Sequence, residues 1–158
     1  MHKSKFTLIV LCILTLTACG CYISSDQSGK GGAMEKKVYN VDFLDKLGPY
    51  SHIVEANGFI FLSGMVPVNL EKNVRITDNV TTGTELVLSN IKQALESVGS
   101  GMDKVVKVTV FLNDMANFND MNAVYKTFFP EKPPARSCVA VKSLPGNFPI
   151  EIEVIAIK

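Results

Sequence analysis

Arginine is scarce in this chain, with only Arg75 and Arg136. Arg136 stands in Pro134-Ala135-Arg136-Ser137-Cys138, between prolines and a run that reads as a buried strand. A guanidinium there keeps a permanent charge and a planar fork of donors matched to a carboxylate. A surface arginine or a structural salt bridge is the plainer use of the same residue. Glu151 and Glu153 alternate with Ile150, Ile152 and Val154, so both acids leave one face of a strand, and that face continues as Ile155 and Ile157. A carboxylate entering an apolar face is costly unless paired. That leaves two readings of the pair, a working acid or solvated acids on an edge strand. Cys138 is a nucleophile only with a base beside it, and nothing links it to His52, so a small buried cysteine is the better reading. The two His and four scattered Cys exclude a Cys/His metal cluster and a dense disulfide scaffold. Tyr50, in Leu47-Gly48-Pro49-Tyr50-Ser51, follows a Gly-Pro turn able to fix its ring.

The elements that must hold these residues follow from pattern. His52 to Ala56 and Phe59 to Met65 are extended runs joined by Asn57-Gly58, a strong signal for a two-residue hairpin, and Pro67 ends the second. Val80, Thr84, Val87, Leu88, Ile91, Leu95 and Val98 recur at helical spacing. Thr82 with Glu85 forms a capping-box pattern, Asp78 and Asn79 are competing caps, and Gly99 and Gly101 close the helix. Val105 to Leu112 is β-branched and largely apolar on both faces, as in a central strand. A second helix is expected from about Ala116 to Phe129, burying Phe118, Met121, Val124, Tyr125 and Phe128 and stopped by Pro130, Pro133 and Pro134. Strands near Arg136 to Val141 and Ile150 to Ile157 finish the chain. The order ββαβαββ predicts an α+β domain, a single sheet with two helices on one face. The other sheet face is then left apolar, and self-association is the economical cover.

The whole chain has 158 residues, 47% of them hydrophobic, with 16 basic and 15 acidic side chains for a net charge of +1. This balance excludes disorder and offers nothing for nucleic acid held by bulk charge. The hydrophobic excess is uneven. Lys3 and Lys5 precede the uncharged run Phe6 to Leu16, too short to span a bilayer but the size of a secretory signal core. Leu16-Thr17-Ala18-Cys19 follows and resembles a bacterial lipobox. The expected organisation is a signal peptide over 1–18, a lipidated Cys19 with a Gly/Ser-rich tether over 19–34, and a folded domain over 35–158. The expected location is the cell envelope, lipid-anchored at the outer membrane or periplasmic face. A cytoplasmic protein started at Met34 is the alternative. Removing 1–18 takes away two lysines and no acid, changing the net charge from +1 to −1. Cys21 falls in the tether, where a bridge to Cys138 is disfavoured.

Gly48-Pro49-Tyr50-Ser51, Phe61-Leu62-Ser63-Gly64, Val106 to Leu112, Pro134-Ala135-Arg136-Ser137-Cys138-Val139 and Ile150 to Ala156 together resemble the RidA (YjgF) family of imine deaminases. The resemblance runs from Lys37 to Ile157 with motifs in family order. It implies a mixed sheet of the RidA/chorismate-mutase-like type in a homotrimer, with sheets inward, helices outside and sites between subunits. It also implies hydrolysis of 2-imino acids and their enamines to 2-keto acids and ammonia, with no cofactor or metal. In that reading Arg136 clamps the substrate carboxylate and Glu151 orients or activates water. Cys138 contributes mainly backbone at the pocket wall, and Tyr50, Ser63 and Asn122 complete the pocket. Two positions beside the pocket depart from the family, Met65 and His52, each where glutamine is usual. The alternative is a non-enzymatic module binding small carboxylates or a protein partner at the envelope. RNA cleavage has no support from the charge.

Overall fold

The computed structural model describes residues 35–44, 46, 48–69 and 72–158. The expected signal peptide, the lipid site at Cys19, the tether with Cys21 and the alternative start at Met34 lie outside the described residues. Eight strands and two α-helices follow in order: β1 (Lys37–Tyr39), β2 (Ile53–Ala56), β3 (Phe59–Met65), β4 (Val68–Asn69), β5 (Val74–Arg75), α1 (Val80–Ser97), β6 (Val105–Leu112), α2 (Phe118–Phe128), β7 (Ala135–Ala140) and β8 (Ile150–Ile157). The main sheet has the order β1-β2-β3-β8-β6-β7, antiparallel throughout except for the parallel β6–β7 pair. The fold is therefore α+β with one mixed sheet and two helices, as the pattern predicts.

Local chemistry explains the joints. Asn57 and Gly58 both take positive φ, +52° and +76°, which lets Ala56 pair directly with Phe59 across the turn. At the start of α1, Asn79 is the cap that prevails: its side-chain oxygen accepts from the Thr82 N–H at 2.9 Å. Its end is a Schellman turn, Ser100 N–H donating to the Leu95 carbonyl and Gly99 N–H to that of Glu96. Asp114 accepts from the Ala116 N–H at 2.8 Å and opens one 3-10 turn, so α2 proper begins two residues later than the pattern predicts.

Both helices lie on one face of the sheet. There Ile60, Leu62, Val108, Val110, Leu112, Ile150, Ile152, Val154 and Ala156 meet Val87, Leu88, Ile91, Leu95, Met121 and Tyr125 in one buried core. Four strands depart from expectation. β1 is an added edge strand, and Tyr39 Oη ties it to β2 by donating to Glu55 Oε2 at 2.8 Å. β4 and β5 form a separate two-stranded hairpin. β7, read as buried, is the other edge of the main sheet, and four of its six residues are exposed. The acid-bearing strand β8 is the reverse case: it sits between β3 and β6, which removes the edge-strand reading of Glu151 and Glu153.

Among the described residues, nothing covers the opposite sheet face, which is partly apolar. Phe59, Phe61, Val139 and Ile157 are each 41–49% exposed on it. Among the described residues, no helix is long and apolar enough to cross a membrane.

Candidate active site

The site is built from register. In β3 three steps from Leu62 to Met65 face two on β8, from Val154 to Ile152, so a bulge falls at Ser63-Gly64. The bulge presses Gly64 against Glu151. A Cβ on Gly64 would overlap the Glu151 carboxyl group, so glycine is what lets that acid take this position. Ser63 is pinned in the same place. Its N–H donates to the His52 carbonyl at 3.0 Å and its Oγ donates to the Ser51 carbonyl at 2.8 Å. With that proton engaged, the hydroxyl meets any further group as an acceptor. The same two bonds hold the turn that carries Tyr50, whose N–H closes back on the Gly48 carbonyl at 2.9 Å.

Tyr50, Ser63, Gly64, Val66, Pro145 and Glu151 line one cavity of about 320 Å³. Glu151 is half-buried in it, and burial, reinforced by the negative charge of Glu153, raises its pKa above the ordinary carboxylate range. Among the described residues no hydrogen bond or ion pair engages its carboxylate. A half-buried, unpaired carboxyl with a raised pKa is suited to take and return a proton.

Arg136 is elsewhere. Val108 pairs with Arg136 and Phe111 with Glu151, and Val108 and Phe111 are three residues apart on an unbroken stretch of β6. An odd spacing puts Arg136 and Glu151 on opposite faces of the sheet. Arg136 lies on the helix side, at the sheet edge. Its Cζ is 4.3 Å from the Tyr125 ring centroid and 5.9 Å from that of Phe118, and Nη1 is 3.9 Å from Met121 Sδ. Asn122 is half-buried on the same helical stripe, four residues from Phe118 and three from Tyr125. Cys138 is half-buried against the core two residues along β7, and burial pushes its thiol pKa up, against reactivity as a thiolate. The predicted site residues therefore form two groups. Tyr50, Ser63 and Glu151 share the cavity, and Arg136, Asn122 and Cys138 share the α2–β7 edge.

The two departures from the family pattern sit behind the lining rather than in it. Met65 turns into the core at 6% exposure. His52 is buried too, its Nδ1 accepting the Val41 N–H at 3.1 Å and its ring edge-on to Tyr50 at 6.0 Å. Sequence reasoning did not single out Gly64, Val66 and Pro145 as lining, nor Tyr125 as a neighbour of Arg136. Gly64 had a signal in the Ser-Gly step beside a strand end. Among the described residues no three His, Cys, Asp or Glu side chains gather as a metal site.

One mixed sheet, helices on a single face, and a glutamate held at a β3 bulge define the class of protein. The Endoribonuclease L-PSP family model matches residues 42–158, and the chain belongs to that family. It is 38% identical over 125 residues to a RutC family protein of Pyrococcus horikoshii, covering 79% of this chain and 99% of that one. It is 42% identical over 110 residues to the chloroplastic Reactive Intermediate Deaminase A of Arabidopsis thaliana, covering 70% of this chain and 59% of that one. Among solved structures, yeast Mmf1 superposes with a TM-score of 0.74 at 37% identity, covering 78% of this chain and 99% of that one. The structure of E. coli TdcF with bound serine superposes with a TM-score of 0.72 at 32% identity, over 77% and 98% of the two chains.

Proposed function

We propose that this protein hydrolyses 2-imino acids, and the enamines in equilibrium with them, to 2-keto acids and ammonia. The observation that carries the reading is the half-buried, unpaired Glu151 seated against Gly64 in a cavity with Tyr50 and Ser63. Family membership supports it, since a relative bears the name Reactive Intermediate Deaminase A. A further relative, TdcF, was solved with serine, a small carboxylate of the size of the proposed substrate.

The chemistry needs little. Water adds to the imine carbon and passes a proton to Glu151. The proton returns to nitrogen, ammonia leaves as the added hydroxyl gives its own proton to Glu151, and the carbonyl forms. A protonated imine is already electrophilic, so positioning and one proton acceptor carry the step. Arg136, with no acid paired to it among the described residues, offers its fork of donors to the substrate carboxylate. Asn122 and the backbone at Cys138 border that group.

Arg136 and Glu151 leave one chain on opposite faces of the sheet, so a complete site takes its two halves from neighbouring subunits. We assign those subunits to a homotrimer joined through the uncovered sheet face, where Phe59, Phe61, Val139 and Ile157 are exposed. Residues 1–18 act as a lipoprotein signal and Cys19 as the anchored N-terminus in this proposal. The order of Lys3 and Lys5, the Phe6 to Leu16 run and Leu16-Thr17-Ala18-Cys19 supports it. Finding an unmodified N-terminus at Met34 in the mature protein would remove the anchor from the proposal.

The test couples a serine or threonine dehydratase to the purified protein and traps the imine with semicarbazide. Keto acid should form faster with protein than without, and Arg136→Ala should lower kcat/KM by about a hundredfold or more, the loss typical of removing a charged group that orients substrate. Equal rates with and without protein, or an unimpaired Arg136→Ala, refute the enzyme. Carboxylate binding that depends on Arg136 without turnover would support a binding module instead.

A further inference from the structure

The α2–β7 edge holds one more feature. Tyr125 is 6% exposed and its hydroxyl is a buried polar atom without a hydrogen-bond partner among the described residues. Its ring stacks against Phe129, centroids 4.7 Å apart and tilted by 36°, so the ring is held from one side by the core. Arg136 lies over it at 4.3 Å, nearer than to any other ring around that guanidinium. Burial keeps the phenol neutral, its pKa pushed up to about 12 even beside a cation.

An arginine set for a carboxylate has a conflicting requirement. An Asp or Glu partner would fix its position but occupy the fork of in-plane donors that the ligand needs. An aromatic face attracts the cation perpendicular to that plane and takes up no donor. Arg136 shows this second arrangement: ring contacts with Tyr125 and Phe118, one weak contact from Nη1 to the Met121 sulfur, and no ion pair among the described residues.

We propose that Tyr125 is the positioning residue for Arg136, holding the guanidinium by the face of its ring so that the donor fork stays open for a ligand carboxylate. This rests on Arg136 as the carboxylate clamp. The ring, not the hydroxyl, carries the role, and it explains a buried tyrosine whose hydroxyl bonds to none of the described residues.

The test uses the full-length assembled protein and pyruvate, the keto acid expected from the imino acid that a serine dehydratase releases, as binding probe. Tyr125→Phe keeps the ring and should bind pyruvate within about twofold of wild type. Tyr125→Leu keeps an apolar side chain but no π face and should raise both the pyruvate Kd and KM about tenfold, with kcat much less affected. Where leucine impairs folding, phenylalanine carrying one, two or three ring fluorines at position 125 holds the shape nearly constant while weakening the ring's negative face. Affinity should then fall by roughly twofold with each fluorine. A flat fluorine series, or Tyr125→Leu binding as wild type does, overturns the role of Tyr125 while Arg136→Ala still abolishes binding. Wild-type binding by Arg136→Ala would instead overturn the carboxylate clamp beneath it.

Discussion

The two faces of β8 make different demands on the same strand. Ile150, Ile152, Val154 and Ala156 point to the helices and are at most 2% exposed. Glu151, Glu153, Ile155 and Ile157 point the other way, and Ile157 is 49% exposed. The inner set is satisfied by this chain's own helices. The outer set combines acids with apolar side chains, and none of the other described residues covers the apolar ones. The contrast separates what holds the domain together from what completes its site. Folding is settled on the inner face, and the proposed assembly and chemistry belong to the outer face and the sheet edge.

Changes confined to one face should break one property and spare the other. The largest effect is expected from Phe61→Glu, which sets a charge in the proposed subunit contact. Sedimentation should show a monomer with unchanged far-UV circular dichroism, and trap-coupled activity should fall to background. A trimer that persists with full activity would remove this face as the interface. Next is Ile152→Ala on the opposite side of the sheet. Deleting a fully buried aliphatic side chain costs about 2–5 kcal/mol, to be read from urea unfolding in the Phe61→Glu background, where association does not interfere.

The smallest effect concerns the acids. Burial first, and then the Glu153 charge, hold the Glu151 pKa above the usual carboxylate range. As pH falls through that raised value, Glu151 gains a proton and the rate should drop as the acceptor for water is lost. Glu153→Gln should shift this acid limb of kcat/KM to lower pH. An unmoved limb would show that the two carboxylates do not communicate in the working enzyme. For stability the sign is reversed. A raised folded-state pKa favours the fold below the unfolded-state value, and that contribution is lost as pH rises through the folded-state value. Glu151→Gln should flatten the stability slope in that window, and an unchanged slope would place the titration on another group.

Much of the fold was legible in the sequence where a short-range signal sufficed. Val105 to Leu112 and Ile150 to Ile157 emerge as strands with the expected bounds because alternation and β-branching mark them locally. The Asn57-Gly58 hairpin emerges because its two residues tolerate positive φ. The three residues of β1 and two each of β4 and β5 carry no such pattern, since strands that short are defined by their partners. Arg136 was singled out by scarcity and by its proline-flanked motif, and Glu151 by a carboxylate entering an apolar face. Their separation by the sheet was not legible. It depends on the pairing of β6 with both β7 and β8, a relation between residues far apart in the chain. Tyr125 has a spacing that marks it only as one of the buried side of a helix.

The sequence by itself determined the order ββαβαββ of the longer elements, the inner core stripe and the residue types able to bind a carboxylate and move a proton. These follow from side-chain period and from the chemistry of single residues. Only the tertiary structure decided that Glu151 rests on Gly64 beside Tyr50 and Ser63. It also decided that Arg136 lies over Tyr125 on the other face. The physical reason is that alternation assigns each side chain a face of its own strand, whereas the neighbour across that face is chosen by strand register and helix packing.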